Sequence, residues 1–495
     1  MANIKNIDGY PFEKLSAEEE KNYLKDIFYK QQYYDPLLNT VEEGVSRFIL
    51  GQRGQGKSAT ILHLLEDLKN RHILPILIDR YSGFPEKDNE NYFLHEIIQS
   101  LTTKISEHIN HNRKDFKKLS DKQKQQIRFF IEVLYDPICS RESISESESI
   151  KSKEKKNIYK KRFNKYVLGW LNSILSACVS CIKDSITKYG YDIDFTPVAK
   201  DYISGFEIDS FEKLSRNEIV LWDKNKLLDV IENLRNIAIK LGYKSIAIMF
   251  DKIDETDFMT DVTKIATFMH DILADTQLLY TEKIAIIVSI WSDVKQELIN
   301  AGIRFDKFKE VDIRWKNEEL EKLINKRLLH FSKDKDNAVS LDSLVPNTIE
   351  KNKILELADH SPRSLLNLLG CILYEEQQDP GIQIISFSEE ALRKGYKTYC
   401  IKFDYTSAQS SRIGQNDLYN WINRLLQFRK INFTLDEYKD VFAKNQKTGK
   451  KHIETMTKFH LIKNASIPDE KGNPIYEIED PRIRYLISIG EQSLS

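Results

Sequence analysis

Three things are scarce in this sequence: proline, cysteine and any surplus of one charge. Twelve prolines among 495 residues leave few helix breakers, and with 41% hydrophobic and 11% aromatic residues they describe a folded, helix-rich soluble chain. The five cysteines, Cys139, Cys178, Cys181, Cys371 and Cys400, are odd in number and irregular in spacing. That excludes a disulfide-stapled fold and fits reduced thiols, so a cytoplasmic location is expected. Cys178 and Cys181 form a CxxC pair, but with no second pair and no nearby histidine they read as packing residues rather than a metal site. Lysine plus arginine number 74 against 75 acids, a net charge of -1, which excludes a globally basic chain that coats nucleic acid. Any polyanion site must be local.

Long hydrophobic runs are missing too. The N-terminus carries no basic segment ahead of an apolar run, so no secretory signal is expected. Residues 166–182 are the one membrane candidate, but they fall short of the roughly 20 apolar residues a span needs and contain Asn172, Ser173, Ser176 and Ser180. A buried helix and no membrane partner are expected.

What is present is an alternation of buried strands and helices in a chain long enough for two to four domains. Residues 12–41 read as two polar amphipathic helices ending in Phe28, Tyr29, Tyr33 and Tyr34. The run Phe48, Ile49, Leu50 enters a glycine-rich turn and then the helical pattern SATILHLLEDLKN, and a second strand spans 73–79. Strand, helix and strand of this length suit a parallel crossover. Residues 91–240 read as a helical insertion with a mobile centre, because the run RESISESESIKSKEKKNIYKKR cannot bury much. Further strands are expected at 245–251, 284–290 and 310–315, giving a parallel sheet covered on both faces. Past the stretch TSAQSSRIGQ, three helices followed by a turn-linked strand pair read as a winged helix-turn-helix.

The fold class expected from these patterns is α/β: a parallel sheet with a large helical insertion, further helices after the sheet and a C-terminal winged helix-turn-helix. Its expected divisions are 1–90 and 241–315 for the two halves of the core, 91–240 for the insertion, 316–405 for the helices after the sheet and 412–495 for the winged helix.

Chemistry concentrates at Gly51-Gln52-Arg53-Gly54-Gln55-Gly56-Lys57-Ser58, which fits GxxxxGK[ST] directly after a strand and before a helix. Glycines let the backbone fold into a nest of N–H groups around a triphosphate, and the helix N-terminus adds partial positive charge. Lys57 would bridge the β and γ phosphates and Ser58 would ligate magnesium, so Gly51 through Ser58, with Ala59, form the expected nucleotide-binding set for ATP and Mg2+. Hydrolysis also needs an acid at the end of a neighbouring strand. Asp251, after Ile246, Ala247, Ile248, Met249 and Phe250, has that form and is the second metal-holding candidate. Asp254 and Glu255 either orient the attacking water or are first-turn helix acids. Ser289, near Ser292 and Asp293, is placed to sense a γ-phosphate or is a plain turn former. Arg363, in Ser361-Pro362-Arg363, opens a helix with a cation where an anion is favoured, which suits a phosphate partner or a surface ion pair.

With these residues in hand, the chain resembles P-loop ATPases of the AAA+ and STAND kind, particularly Orc1/Cdc6-like ATPases that carry a C-terminal winged helix. The resemblance rests on GQRGQGKS, IAIMFDKIDE, IAIIVSI and the helix opening with SPR, over residues 12–375 and more weakly 412–490. It implies that the 284–290 strand lies between the P-loop strand and the Asp251 strand. It also implies a helical lid with Arg363 in the sensor-2 position and an N-terminal element beside the adenine, with Tyr33 and Tyr34 as base contacts. AAA+ members place Glu directly after the strand-end Asp, whereas here that residue is Lys252. The spacing Asp-x-x-Asp-Glu looks more like STAND and KAP-type ATPases, which implies slow, switch-like hydrolysis. Arg304 is the one weak candidate for a trans-acting arginine finger.

Between Lys444 and Lys463 six lysines (444, 447, 450, 451, 458, 463) face a single acid, Glu454. On a winged helix they would meet the phosphates of double-stranded DNA, with Thr448 and His452 near base edges, although such a run also serves as a solvated face or a protein contact. The function expected is an ATP-dependent switch coupled to DNA or to a protein partner, with self-association, of a kind that suits bacterial defence against mobile elements by analogy. A replication or transposition loader and a non-hydrolysing ATP-bound interaction module are the alternatives.

Overall fold

The computed structural model describes residues 4–81, 84–85, 88–124, 126–127, 130, 223–255, 261–377, 383–406, 415–465, 467–470 and 472–494. The low-complexity run, the CxxC pair and the apolar stretch at 166–182 lie outside the described residues. Among those described, no helix is long and apolar enough to cross a membrane.

Five strands, β1 (Arg47–Gly51), β2 (Leu74–Ile78), β3 (Ile246–Phe250), β4 (Ile284–Trp291) and β5 (Glu310–Asp312), pair in parallel in the order β2-β3-β4-β1-β5. β4 therefore lies between the strand that ends in the glycine loop and the strand that ends in Asp251, as the resemblance implies. Parallel strands covered on both faces need apolar side chains throughout, and every residue of β3 and β4 is buried. The two faces feed separate cores. Ile49, Ala247, Met249, Ala285 and Ile287 point into one, while Phe48, Leu50, Ile246, Ile248, Phe250, Ile286 and Val288 point into the other.

On the first face lie α1 (Tyr34–Glu42), α2 (Lys57–Asn70) and the lid described below; on the second lie α3 (Glu90–His111), α4 (Lys224–Lys240), α5 (Val262–Ala274) and α6 (Val294–Asn300). The N-terminal expectation needs correcting. Instead of two helices over 12–41 there is a single turn, Leu24–Ile27, and then α1. The preceding strap takes its shape from tertiary bonds: Ser16 and Glu19 close a local turn, and Arg327 donates to the carbonyls of Pro11 and Lys14 and to the Glu20 carboxylate.

The lid is α7 (Asn317–Phe331), α8 (Thr348–Leu357), α9 (Pro362–Glu376) and α10 (Glu389–Lys402). α9 and α10 press together at Gly395, where an added Cβ would stand 2.7 Å from the Ile372 Cα.

The C-terminal unit contains α11 (Gln415–Phe428), β6 (Asn432–Thr434), α12 (Leu435–Phe442), α13 (Gln446–Lys458), β7 (Ile462–Asn464), β8 (Ile475–Ile478) and α14 (Pro481–Ser488). Its strands form an antiparallel sheet in the order β6-β8-β7, the arrangement of a winged helix. α13 stops earlier than its apolar pattern suggests, because His460 takes a left-handed φ of 51° and Ile462 already pairs with Ile478. α14 docks this unit onto the lid. The buried Arg482 guanidinium meets Asp480 at 2.7 Å and Asp359 at 3.0 Å, and lies 3.8 Å from the centre of the Phe403 ring.

Candidate functional site

β1 ends at Gly51, and the chain turns through 52–56 into α2. Gly54 and Gly56 sit in the left-handed region at φ 80° and 91°. Gly54 is also a close approach: an added Cβ would stand 2.8 Å from the Ser361 Oγ and 3.1 Å from the Arg363 Cβ. The lid helix α9 thus rests on the loop, and the Arg363 N–H donates to the Gly54 carbonyl at 3.3 Å. α2 begins at Lys57 with no acid in its first turn, so its unpaired N–H groups and positive end face the loop without a resident anion.

Lys57 folds inward. Its Nζ donates to the carbonyls of Gly51 at 2.9 Å and Gln52 at 3.2 Å, and burial holds its pKa below the ordinary lysine value against the opposing pull of Asp254 and Asp251. Asp251 is 4% exposed. Burial raises its carboxyl above the usual range, countered by a hydrogen bond from Ser58, by Ser289, by the Lys252 backbone and by Lys57. Ser289 lies beside it because β3 and β4 are in register one residue earlier, Phe250 opposite Val288. The Ser289 hydroxyl favours the charged carboxylate by its closeness, but it makes no hydrogen bond of sound geometry. A hydroxyl beside a carboxylate gives hard oxygen donors that fit a magnesium ion completed by phosphate and water, so Ser58 and Asp251 could hold one.

Around this pair stand more charges. Arg53 Nε donates to Asp254 Oδ2 at 3.1 Å while its guanidinium lies 4.4 Å from the centre of the Trp291 ring. Lys252 takes a left-handed φ of 60° and meets Glu18 of the N-terminal strap at 2.7 Å. Arg363 Nε reaches the Leu15 carbonyl at 3.3 Å. These groups share a cavity of about 550 Å³ whose lining also includes the apolar and aromatic side chains of Leu15, Ile27, Phe28, Tyr29, Tyr33 and Leu366.

Of the nucleotide-binding set, Arg53, Gly54, Gly56, Lys57, Ser58, Ala59 and Arg363 line the cavity, together with Asp251, Asp254 and Glu255. Gly51, Gln52, Gln55 and Ser289 stand behind it. Gln52 is a brace, donating to Asp293 at 2.8 Å and accepting from the Trp291 indole N–H, and the Gln55 carbonyl accepts the Trp315 indole N–H at 2.9 Å. Tyr33 lines the cavity and bonds Thr60 at 2.9 Å, but Tyr34 is fully buried and donates to Asp67 at 3.0 Å. Tyr34 is therefore a core residue, not a base contact. Arg304 is exposed and held by Asp306 at 2.6 Å. The two tryptophans that hold the loop went unassigned in the sequence, where each marks only the end of an apolar run.

In the C-terminal unit Lys444, Lys447, Lys450, Lys451, Lys458 and Lys463 are all exposed. Thr448 and His452, expected near base edges, are engaged internally. Thr448 bonds the helix-capping Asn445, and the His452 ring packs edge-on at 4.8 Å from Trp421.

No protein-family model matches the chain, and no curated protein sequence does. Solved structures resemble it over most of its length, two of them from Aeropyrum pernix. The Aeropyrum pernix ORC1 protein in complex with DNA is 11% identical, with 94% of this chain and 96% of that chain covered and a TM-score of 0.34. The Aeropyrum pernix ORC2 protein, in ADPNP and ADP complexes, is 11% identical, with 99% and 96% covered and a TM-score of 0.37. The reading of the site rests on its own geometry.

Proposed function

We propose that the cavity takes ATP with magnesium and that the chain hydrolyses it slowly, as a nucleotide-dependent switch coupled to DNA or to a protein partner. The observation that carries this reading is one constellation. A left-handed glycine loop delivers Lys57 and Ser58, at the open end of α2, to a cavity faced by Asp251 from the next strand but one. The loop N–H groups and Lys57 would receive the β and γ phosphates, replacing the carbonyls that Lys57 now holds. The aromatic lining offers Tyr29 and Tyr33 to a planar base. Magnesium, when bound, neutralises phosphate charge; Ser58 and Asp251 hold it, and Arg363 brings lid cation to the same end. Acids facing the cavity favour hydrolysis over a purely structural nucleotide.

Calorimetric titration with ATP and magnesium tests binding. A Lys57→Ala protein that kept full magnesium-dependent hydrolysis would contradict the assignment. The exposed lysines support a duplex DNA contact, sequence-independent because they reach phosphates. Replacing Lys447, Lys450 and Lys451 with Gln in the full chain should weaken duplex binding and flatten its salt dependence. Unchanged binding removes DNA from the reading and leaves the protein partner.

A further inference from the structure

Asp251, Asp254 and Glu255 line the cavity from the end of β3 and the turn after it, and their surroundings differ. Asp251 sits at the strand end with Ser58 and Lys57 and is the metal-side acid. Asp254 and Glu255 share one turn, Ile253–Glu255, yet only one of them is engaged. Asp254 Oδ2 accepts from Arg53, whose guanidinium stacks on Trp291, whose indole N–H in turn grips Gln52. Asp254 is thus a member of the web that shapes the loop, and turning it towards a water molecule would break its bond to Arg53. Glu255 lines the same cavity, is exposed to its solvent, and its carboxylate makes no hydrogen bond or ion pair among the described residues. A base must offer an unshared oxygen where water enters, and Glu255 does.

Resting on the hydrolytic reading above, we infer that Glu255 is the general base for the attacking water, and that Asp254 is a positioning residue that holds Arg53 and the loop. The position directly after Asp251 is held by Lys252, committed to Glu18, so the acid four residues on takes the task. In the step, the water oxygen forms a bond to the γ-phosphorus as the bond from that phosphorus to the β,γ-bridging oxygen breaks. The electron pair of the broken bond leaves with ADP. The water proton passes to the Glu255 carboxylate and then to solvent, and inorganic phosphate is released. Desolvation first, and then the neighbouring Asp254, Asp251 and Glu18, raise the Glu255 carboxyl above its ordinary value against the pull of Lys252, the direction that makes a carboxylate a better proton acceptor.

The full chain is tested as three proteins: parent, Glu255→Gln and Asp254→Asn. ATP affinity is read by calorimetry, and single-turnover hydrolysis is followed across pH. Glu255→Gln should bind ATP within about threefold of the parent, hydrolyse it about 10²- to 10⁴-fold more slowly, and lose the acid limb of the profile. Asp254→Asn should keep that limb and hydrolyse within about fivefold of the parent at saturation, with the loss appearing as weaker ATP binding. Hydrolysis by Glu255→Gln near the parent rate, loss of its ATP binding, or an acid limb lost in Asp254→Asn instead would each overturn the assignment. Melting curves with and without ATP show that each variant is folded. A parent chain that binds ATP but never turns it over removes the hydrolytic reading itself, a result distinct from a parent that hydrolyses alongside an equally active Glu255→Gln.

Discussion

The joint between the C-terminal unit and the lid yields a sharp test in Arg482→Met. The guanidinium is about 5% exposed, donates from Nε and an η nitrogen to both oxygens of Asp480 at 2.8 and 2.7 Å, and reaches Asp359 at 3.0 Å. Methionine keeps contact with Phe403 but leaves the carboxylates without their cation. Asp359 is 45% exposed and can rehydrate, whereas Asp480 is 14% exposed and cannot do so fully. Removing one partner of a buried pair costs about 3–5 kcal/mol, and Asp359's access to water puts this site near 3. At about 2–4 °C per kcal/mol for a unit of 150–250 residues, the lid and C-terminal unit should melt roughly 6–12 °C lower by scanning calorimetry. Adding Asp480→Asn should recover at least half of that, because the orphaned charge is gone and asparagine still caps α14 as Asp480 now does. A single variant that melts within 2 °C of the parent, or a double variant no better than the single, refutes the reasoning.

Three further outcomes follow from the nucleotide site. Asp251→Asn should stabilise the empty protein by on the order of 1 kcal/mol, because a desolvated carboxylate is removed, while abolishing the magnesium dependence of ATP binding; a lower melting point would contradict it. Burial of Asp251, and partial desolvation with neighbouring acids at Glu255, raise these carboxyls above their ordinary 3.8 and 4.5, so the folded chain binds these protons more tightly than the unfolded chain. Their contribution to stability is fullest below the ordinary values and declines as pH rises through them towards the raised folded values. The difference between parent and Asp251→Asn melting points should therefore widen from pH 4 upward, and a gap independent of pH would exclude this origin. Gly54→Ala meets both a left-handed φ and the lid at 2.8 Å, so it should cost about 1–3 kcal/mol and weaken ATP binding at least tenfold. Unchanged affinity by calorimetry would show that the lid does not rest on the loop.

Much of the core was legible because it obeys short-range rules. β3 and β4 are unbroken apolar runs, and GQRGQGKS carries its own backbone requirement in Gly54 and Gly56. The order of the strands was not contained in those runs; the place of β4 between β1 and β3 came from the family resemblance, and the outer places of β2 and β5 are seen only in the fold. What escaped notice depends on long-range partners. β6 is three residues long and exists because Phe433 pairs with Tyr476. The strap before Tyr23 has helical composition, but Arg327, more than 300 residues away in sequence, takes its carbonyls. Tyr33 and Tyr34 are adjacent, and only the fold separates the cavity wall from the core. The final helix α14 was in fact announced by Asp480-Pro481, a cap followed by a residue suited to the first turn.

The indoles of Trp291 and Trp315 hold the glycine loop from two sides, one under a stacked guanidinium and the other through a backbone carbonyl. Two of the five tryptophans in the chain therefore brace the loop that, on the proposed reading, would rearrange around a phosphate. Their emission is a label-free optical gauge of that movement, and Trp315→Phe separates the signal of one wall from the other.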